Sequence, residues 1–358
     1  MMQKLKVGVV GIGGMGITHV GAYMLDDRVQ VIATCATQKS KLEKINNGEW
    51  PKVTYYEGEF QPIYRIQKAY TNFEDLVKDP DIDVVSVCTP NNLHFPITKA
   101  ALENGKHVLV EKPMTLTYEE AHALVDLAER KNKLLAVGHM WRFHSHIQYA
   151  KEIIKAGILG DIVKIKGYAI HEDWIPEGSG TWFTNPELAG GGALIDMGIH
   201  PIDTIIFLLE GAEVAKVYAN TRTAYGNYKV EDVGVVHLEF SNGTFAMVEF
   251  GWGNPHKDGD ECSIQIFGTK GYMRIFPTSI KCEVKGVRGV FKPQLEEGHL
   301  TKELYVREIK HFIDSILEGT TCIISGKQAL KTMRVIDAAY LSSKEGRIID
   351  LQGKEGWR

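Results

Sequence analysis

Short runs made mostly of apolar residues recur through the first part of the chain, at 7–10, 29–35, 84–88, 108–110 and 134–137. A run that is continuous and does not alternate predicts a strand buried on both faces, as in a parallel sheet covered by helices above and below. Helical patterns fill the intervals. In the clearest, Tyr118 to Lys131, Ala121, Leu124, Val125 and Ala128 recur at helical spacing. Thr117 with Glu120 makes a T-x-x-E capping box at its start. Residues 48–70, rich in Tyr, Pro and Glu, interrupt the alternation and read as an inserted loop before the next strand.

From about residue 162 the period changes to two. Lys164, Lys166 and Tyr168 alternate with Val163, Ile165 and Gly167, and Val235, His237 and Glu239 with Val236, Leu238 and Phe240. This pattern predicts an antiparallel sheet with one face buried under helices. Asn242-Gly243 marks a hairpin, and Gly268 and Gly271 flank a second turn of the same kind. Residues 303–317 form an amphipathic helix with Leu304, Ile309, Phe312, Ile313 and Ile316 on one side.

The first apolar run is followed by Gly11-Ile12-Gly13-Gly14-Met15-Gly16, a G-x-G-x-x-G. The pattern alone is weak. Here it closes a strand, opens a helix and begins a β-α-β alternation, which is the context the motif requires. Gly11 permits the tight turn, Gly13 lets the backbone approach a pyrophosphate, and Gly16 allows close helix packing. The helix N-terminus offers its N–H groups to the phosphates. The expected fold is therefore α/β: an N-terminal Rossmann dinucleotide-binding domain over 1–140, then a C-terminal α+β domain over 141–358 built on a largely antiparallel open sheet. An acidic residue is expected at the end of the second strand to bind the NAD ribose. The stretch from Thr34 to Ser40 contains none, whereas Thr37, Lys39 and Ser40 could accept a 2′-phosphate. The cofactor is thus NAD(P) with a lean to NADP, and NAD bound without the acid stays open.

The chain has 358 residues, room for two domains, and a net charge of -4. No basic field invites nucleic acid. Five cysteines stand at scattered spacings, which suits a reducing compartment. No signal-peptide pattern precedes the first strand and no apolar run reaches the length of a membrane helix, so the expectation is a cytoplasmic protein without a membrane partner. His144-Ser145-His146 could suggest a metal site, but no Cys, Asp or Glu cluster completes it. The two histidines read as solvated residues at a helix start, with no metal expected.

Glu111-Lys112-Pro113 ends a predicted strand, where ligands gather in open α/β sheets. Lys112 could point at the cofactor crevice or be a surface lysine. Further on, Gly190-Gly191-Gly192 precedes Asp196, His200, Pro201 and Asp203. Asp196 and His200 are four apart, so one helical turn puts them on one face. Pro201 marks a helix start or kink. The three glycines would let backbone come close to a ligand. A capping Asp and a core His under a glycine-rich loop is the plainer alternative.

In order and spacing these motifs, with Thr89-Pro90-Asn91-Asn92-Leu93-His94, resemble those of the Gfo/Idh/MocA family, the relatives of glucose–fructose oxidoreductase and inositol dehydrogenase. The resemblance spans nearly the whole chain. It implies an NAD(P)-binding Rossmann domain whose loop Thr89, Pro90, Asn92 and His94 lies against the cofactor, with Glu111 and Lys112 beside it. It implies a second domain whose open sheet serves assembly, here a homodimer or homotetramer. It also implies a trio of Lys112, Asp196 and His200 around the substrate carbon. In alcohol oxidation His200 is the fitting base, since an ordinary histidine titrates nearest working pH. Lys112 would stabilise the developing alkoxide and Asp196 would set orientation. Lys112 as proton carrier is the alternative. Arg142, His171, Trp174 and Trp182 supply the aromatic faces and polar tips that suit a sugar or polyol. The expected function is NAD(P)-dependent dehydrogenation of a sugar or cyclitol. Two others remain: a retained NAD serving hydrolysis, elimination or epimerisation by transient oxidation, and a non-catalytic NAD(P)- and sugar-binding regulator.

Overall fold

In the computed structural model, which describes residues 4–50, 65–172, 182–254, 261–295 and 301–352, the valine-rich runs are strands and the intervals between them helices. They follow in order as β1 (Leu5–Val10), α1 (Gly14–Tyr23), β2 (Val29–Cys35), α2 (Lys39–Asn46), β3 (Lys68–Tyr70), α3 (Phe73–Lys78), β4 (Val84–Val87), α4 (His94–Glu103), β5 (His107–Glu111), α5 (Tyr118–Lys131) and β6 (Leu135–Gly138). The strands pair in the order β3-β2-β1-β4-β5-β6, all in parallel. This is the doubly wound order of dinucleotide-binding sheets, whose switch point between β1 and β4 opens a crevice at the strands' carboxyl ends. Val7, Val9, Val84, Val85, Val108 and Leu109 are fully buried, so both faces of the sheet are covered. Helix α5 begins as its sequence requires: Thr117 accepts from the Glu120 N–H, while the Glu120 carboxylate reaches back to the Leu116 N–H. Of the stretch 48–70 read as a loop, 51–64 fall outside the described residues. Its last three residues form the edge strand β3.

The chain then continues as α6 (Ser145–Lys155), β7 (Ile162–His171), α7 (Pro186–Ala189), α8 (Ile199–Leu208), β8 (Val214–Arg222), β9 (Val233–Phe240), β10 (Phe245–Trp252), β11 (Cys262–Gly268), β12 (Gly271–Ile275), β13 (Ser279–Val284), β14 (Val287–Phe291), α9 (Lys302–Leu317), α10 (Gly326–Glu345) and β15 (Ile349–Asp350). Nine strands pair in the order β14-β13-β12-β11-β7-β10-β9-β8-β15. Both expected hairpins are present, β9 with β10 and β11 with β12. The pairing of β7 with β10 is parallel and lies in the middle of an otherwise antiparallel sheet. Ile165, Val236, Leu238, Val248 and Phe250 are fully buried on one face, whereas Lys166, Met247 and Glu249 are exposed on the other. Helix α8 crosses the buried face at Gly167, where a Cβ would stand 3.2 Å from Pro201. The stretch Pro186–Leu208 is long and apolar enough to cross a membrane, but 89% of its apolar window is buried inside the protein.

These elements form two compact units, Met1–Met140 with Leu300–Leu330, and Trp141–His299 with Lys331–Arg358. Although α9 follows the second sheet in sequence, it packs on α1 of the first unit, with Leu304, Ile309, Phe312 and Ile313 buried. Arg28 ties it there through Asp314 at 2.6 Å.

Candidate active site

Three segments of the first unit meet at the carboxyl edge of its sheet. The first is the glycine turn between β1 and α1. Gly11 has φ +89°, and a Cβ on it would lie 2.4 Å from the Cys88 carbonyl oxygen. Gly16 abuts the turn itself, since its Cβ would fall 1.9 Å from the Gly11 carbonyl oxygen. Gly13 differs: a Cβ there would meet nothing within 4 Å. No side chain caps α1 and no acidic residue stands in its first turn. Open space over Gly13 at an uncapped helix start fits an anionic pyrophosphate. Ile12 is buried, and Gly14 and Met15 begin the helix.

The second segment follows β2. Thr37, Gln38, Lys39 and Ser40 are exposed there, with no carboxylate among them. The third is the turn after β4. The hydroxyl of Thr89 and the side-chain carbonyl of Asn92 are buried without a hydrogen-bond partner. Such orphaned groups lack a partner that a bound ligand would provide. Pro90 opens the short 3₁₀ turn between them. His94 is 1% exposed, with Nδ1 2.7 Å from the Pro113 carbonyl oxygen and Nε2 2.9 Å from that of Thr89. Its expected contact with the cofactor gives way to a structural one: the ring ties the β4 turn to the β5 turn. Burial lowers its pKa.

Lys112 stands half-buried immediately after β5. The Glu111 carboxylate does not face a ligand, because it is buried against His19 at 2.9 Å and accepts the Lys112 N–H at 3.2 Å. Burial pushes the Glu111 carboxyl up, and the His19 partner outweighs it and holds it below the usual range.

In the second unit, Asp196 lies in a π-helical turn, Leu194–Gly198, that runs into α8. The regular α-helical turn inferred from the four-residue spacing is thus widened, a distortion frequent at functional sites. The Asp196 carboxylate accepts the Trp252 indole N–H at 3.1 Å. His200, 7% exposed, stacks on Trp141 with ring centroids 5.1 Å apart. The glycines before Asp196 do not make room for a ligand. A Cβ on Gly191 would lie 1.9 Å from the Tyr340 hydroxyl, and one on Gly192 1.9 Å from the Glu231 carbonyl oxygen. They admit the protein's own chain. One oxygen of the buried Glu231 carboxylate accepts the Gly192 N–H at 2.9 Å, the Leu194 N–H at 2.9 Å and the Tyr340 hydroxyl at 3.0 Å. Burial raises the Glu231 pKa.

His171 ends β7 beside Trp252 of β10 and pairs with Glu261 at 3.1 Å. Trp182 is half-buried and stacks on Phe183 at 3.9 Å. Trp174 lies outside the described residues. Arg142 does not meet a substrate. It is 1% exposed, and its guanidinium donates to both Asp203 oxygens at 2.8 and 2.6 Å. His144 and His146 are not solvated either. Both are buried and pack around Phe276; His144 caps α6 and His146 bonds to Thr278. Among the described residues no group of three or more His, Cys, Asp or Glu could hold a metal ion. Glu231, Trp252 and His19 escaped the sequence reading. For His19 and Trp252 the one visible signal is a polar or amphipathic side chain among apolar neighbours, and Glu231, beside Asp232, carries none.

Residues 5–139 match the model of an oxidoreductase family with an NAD-binding Rossmann fold, and residues 147–274 match the GFO/IDH/MocA C-terminal domain. The D-glucoside 3-dehydrogenase of Escherichia coli K12 is 26% identical over 98% of each chain. The NADP(+)-dependent scyllo-inositol 2-dehydrogenase of Bacillus subtilis 168 is 28% identical, covering 98% of this chain and 97% of its own. Among solved structures, the aldose-aldose oxidoreductase from Caulobacter crescentus, complexed with glycerol, has a TM-score of 0.81 at 25% identity, covering 98% of this chain and 100% of that one.

Proposed function

The chain belongs to the Gfo/Idh/MocA oxidoreductase family, and from that premise we propose that it transfers a hydride between a nicotinamide dinucleotide and a secondary hydroxyl of a sugar or cyclitol. The reading is carried by the groups gathered at the carboxyl edge of the parallel sheet. These are an uncapped helix start over open space at Gly13, partnerless Thr89 and Asn92 atoms, and Lys112 just beyond β5. Relatives named as glucoside and inositol dehydrogenases support the substrate class. When bound there, the nicotinamide cofactor accepts or supplies the hydride. The exposed Thr37, Lys39 and Ser40, in a stretch from Thr34 to Ser40 without a carboxylate, favour NADP.

The chain's own residues handle the proton and the charge. His200 takes the hydroxyl proton as base, its ring fixed by the stack on Trp141. Lys112 donates a hydrogen bond to the same oxygen and stabilises its alkoxide character. Asp196, oriented by the Trp252 indole, sets the alignment of the substrate. His171 and Trp182 present a polar tip and an aromatic face to the ring. We place the work in a reducing cytoplasmic compartment, in keeping with five cysteines that form no disulfide. We also place a second copy or more on the open face of the nine-stranded sheet, where Tyr218 and Met247 are exposed.

The test is a panel of sugars, glycosides and cyclitols assayed with NADP and NAD, following reduced cofactor by its near-ultraviolet absorbance. Reduction on a subset, faster with NADP, is expected. Dinucleotide binding without turnover across the panel would replace the dehydrogenase with a binding protein. Product formed without net reduction would replace it with an enzyme that retains its cofactor.

A further inference from the structure

A buried polar chain under Lys112 takes no part in the chemistry assigned above. His19, fully buried, lies on α1 three residues beyond Gly16. Its Nδ1 is 2.7 Å from the Ser86 hydroxyl on β4, and its Nε2 is 2.9 Å from Glu111 Oε1 at the end of β5. The other carboxylate oxygen of Glu111 accepts the Lys112 N–H at 3.2 Å. Space for this carboxylate comes from Gly138, paired with Glu111 across β5 and β6: a Cβ there would stand 3.0 Å from Oε1. On the other side of Lys112, His94 reaches the Pro113 carbonyl. The residues before and after the lysine are thus each held by a buried imidazole, one from α1 and one from α4.

A buried pair of this kind is weak as a device for stability alone. Removing two charges from water costs several kcal/mol, and a packed apolar pair often does as well. What apolar residues cannot supply is a directed acceptor for the Lys112 backbone. Nor can they supply a fixed negative charge beside its side chain. Burial opposes the charge on His19, and Cys88 and Glu111 outweigh it, so that its pKa stands well above the ordinary value.

We propose that His19 and Glu111 are positioning residues for Lys112. The pair locks the backbone of the lysine to the helix that follows the glycine turn, and so fixes where its ammonium meets the reacting oxygen. The proposal rests on the role given to Lys112 above.

The experiment compares full-length wild type with Glu111→Gln, His19→Gln and Lys112→Ala. It measures thermal midpoint, dinucleotide Kd by fluorescence of the reduced cofactor, and kcat and KM across pH. Glu111→Gln keeps the shape and removes the charge. It is expected to keep Kd and KM within about twofold and to lose kcat by about 10- to 100-fold, the scale of a small misplacement of a catalytic group. The loss falls on kcat and not on KM, because the carboxylate acts on where Lys112 stands and not on substrate affinity. A merely structural pair would lower the thermal midpoint and leave the kcat of the folded enzyme unchanged. His19→Gln keeps the carboxylate and one donor, and should lose less kcat. It carries the same split if Glu111→Gln does not fold. An inactive Lys112→Ala beside a Glu111→Gln with wild-type kcat overturns the positioning role alone. Full activity in Lys112→Ala overturns the assignment of the lysine, and the positioning role with it.

Discussion

Arg142 and Asp203 meet in the core of the second unit with side chains 1% and 2% exposed. Asp203 also accepts the Thr332 hydroxyl at 2.8 Å, and the guanidinium lies over the Phe207 ring at 5.2 Å. Removing one partner strands the other charge away from water, so Asp203→Ala should lose about 3–5 kcal/mol. The double variant Arg142→Met, Asp203→Leu should recover most of it. Urea unfolding decides: a double variant no more stable than Asp203→Ala would mean that the uncompensated charge is not the cause. The pair also shows what a sequence hides at this scale. Lys112, Asp196 and His200 stand in compact motifs, and a motif can be read in place. Arg142 sits between Trp141 and Phe143 like a pocket residue, because its partner comes from 61 positions later. Glu231 serves Gly192 from 39 positions away. Local pattern carries the chemistry of a side chain and is silent on which distant group neutralises it.

Among the elements, the glycine turn separates two duties that one motif combines. Gly13 has open space and an ordinary φ of -84°, whereas Gly16 already touches the Gly11 carbonyl. Gly13→Ala should therefore leave the thermal midpoint unchanged and weaken dinucleotide binding, because its methyl group fills the space a phosphate needs. Gly16→Ala should destabilise the first unit by at least the ~1–3 kcal/mol of an overpacked site. Equal thermal midpoints for the two variants would refute the division. The parallel strands were legible because a strand buried on both faces has no polar register to confuse it. The three-residue β3 was not, being too short and too polar to show a period. Nor does a period of two reveal that β7 and β10 run parallel, since alternation marks a face and not a direction. The amphipathic stripe of α9 announced a helix, but which sheet it would cover was settled by long-range packing on α1.

For the molecule as a whole, the first unit's histidines make stability a peaked function of pH. His107 Nδ1 accepts the Leu134 N–H and His311 Nε2 accepts the Ile323 N–H, both at 3.0 Å, so each ring must keep that nitrogen unprotonated. Burial, then Lys133, lowers the His107 pKa to about 4, and burial lowers that of His311. A base whose folded pKa lies below its unfolded value binds its proton more readily when unfolded. Stability is then lost as pH falls below about 6.5, and for His107 the loss levels off near pH 4. His19 has the opposite sign. Its folded pKa is raised, so its contribution is full below about 6.5 and fades as pH rises through the folded value. Asp79 does not blur this window. Lys68 and the Asp81 N–H outweigh burial and hold its pKa at about 2, which confines its effect to pH values below about 4. Urea midpoints should therefore peak near neutrality and fall from pH 6.5 to 4.5. The His107 share is bounded at about 3 kcal/mol by linkage, and is smaller because solvent reaches the half-buried ring. His107→Gln can still accept the Leu134 N–H but cannot take up the proton. It should flatten the acid side of the curve and leave the alkaline side alone. An unchanged acid slope in that variant would place the acid lability elsewhere.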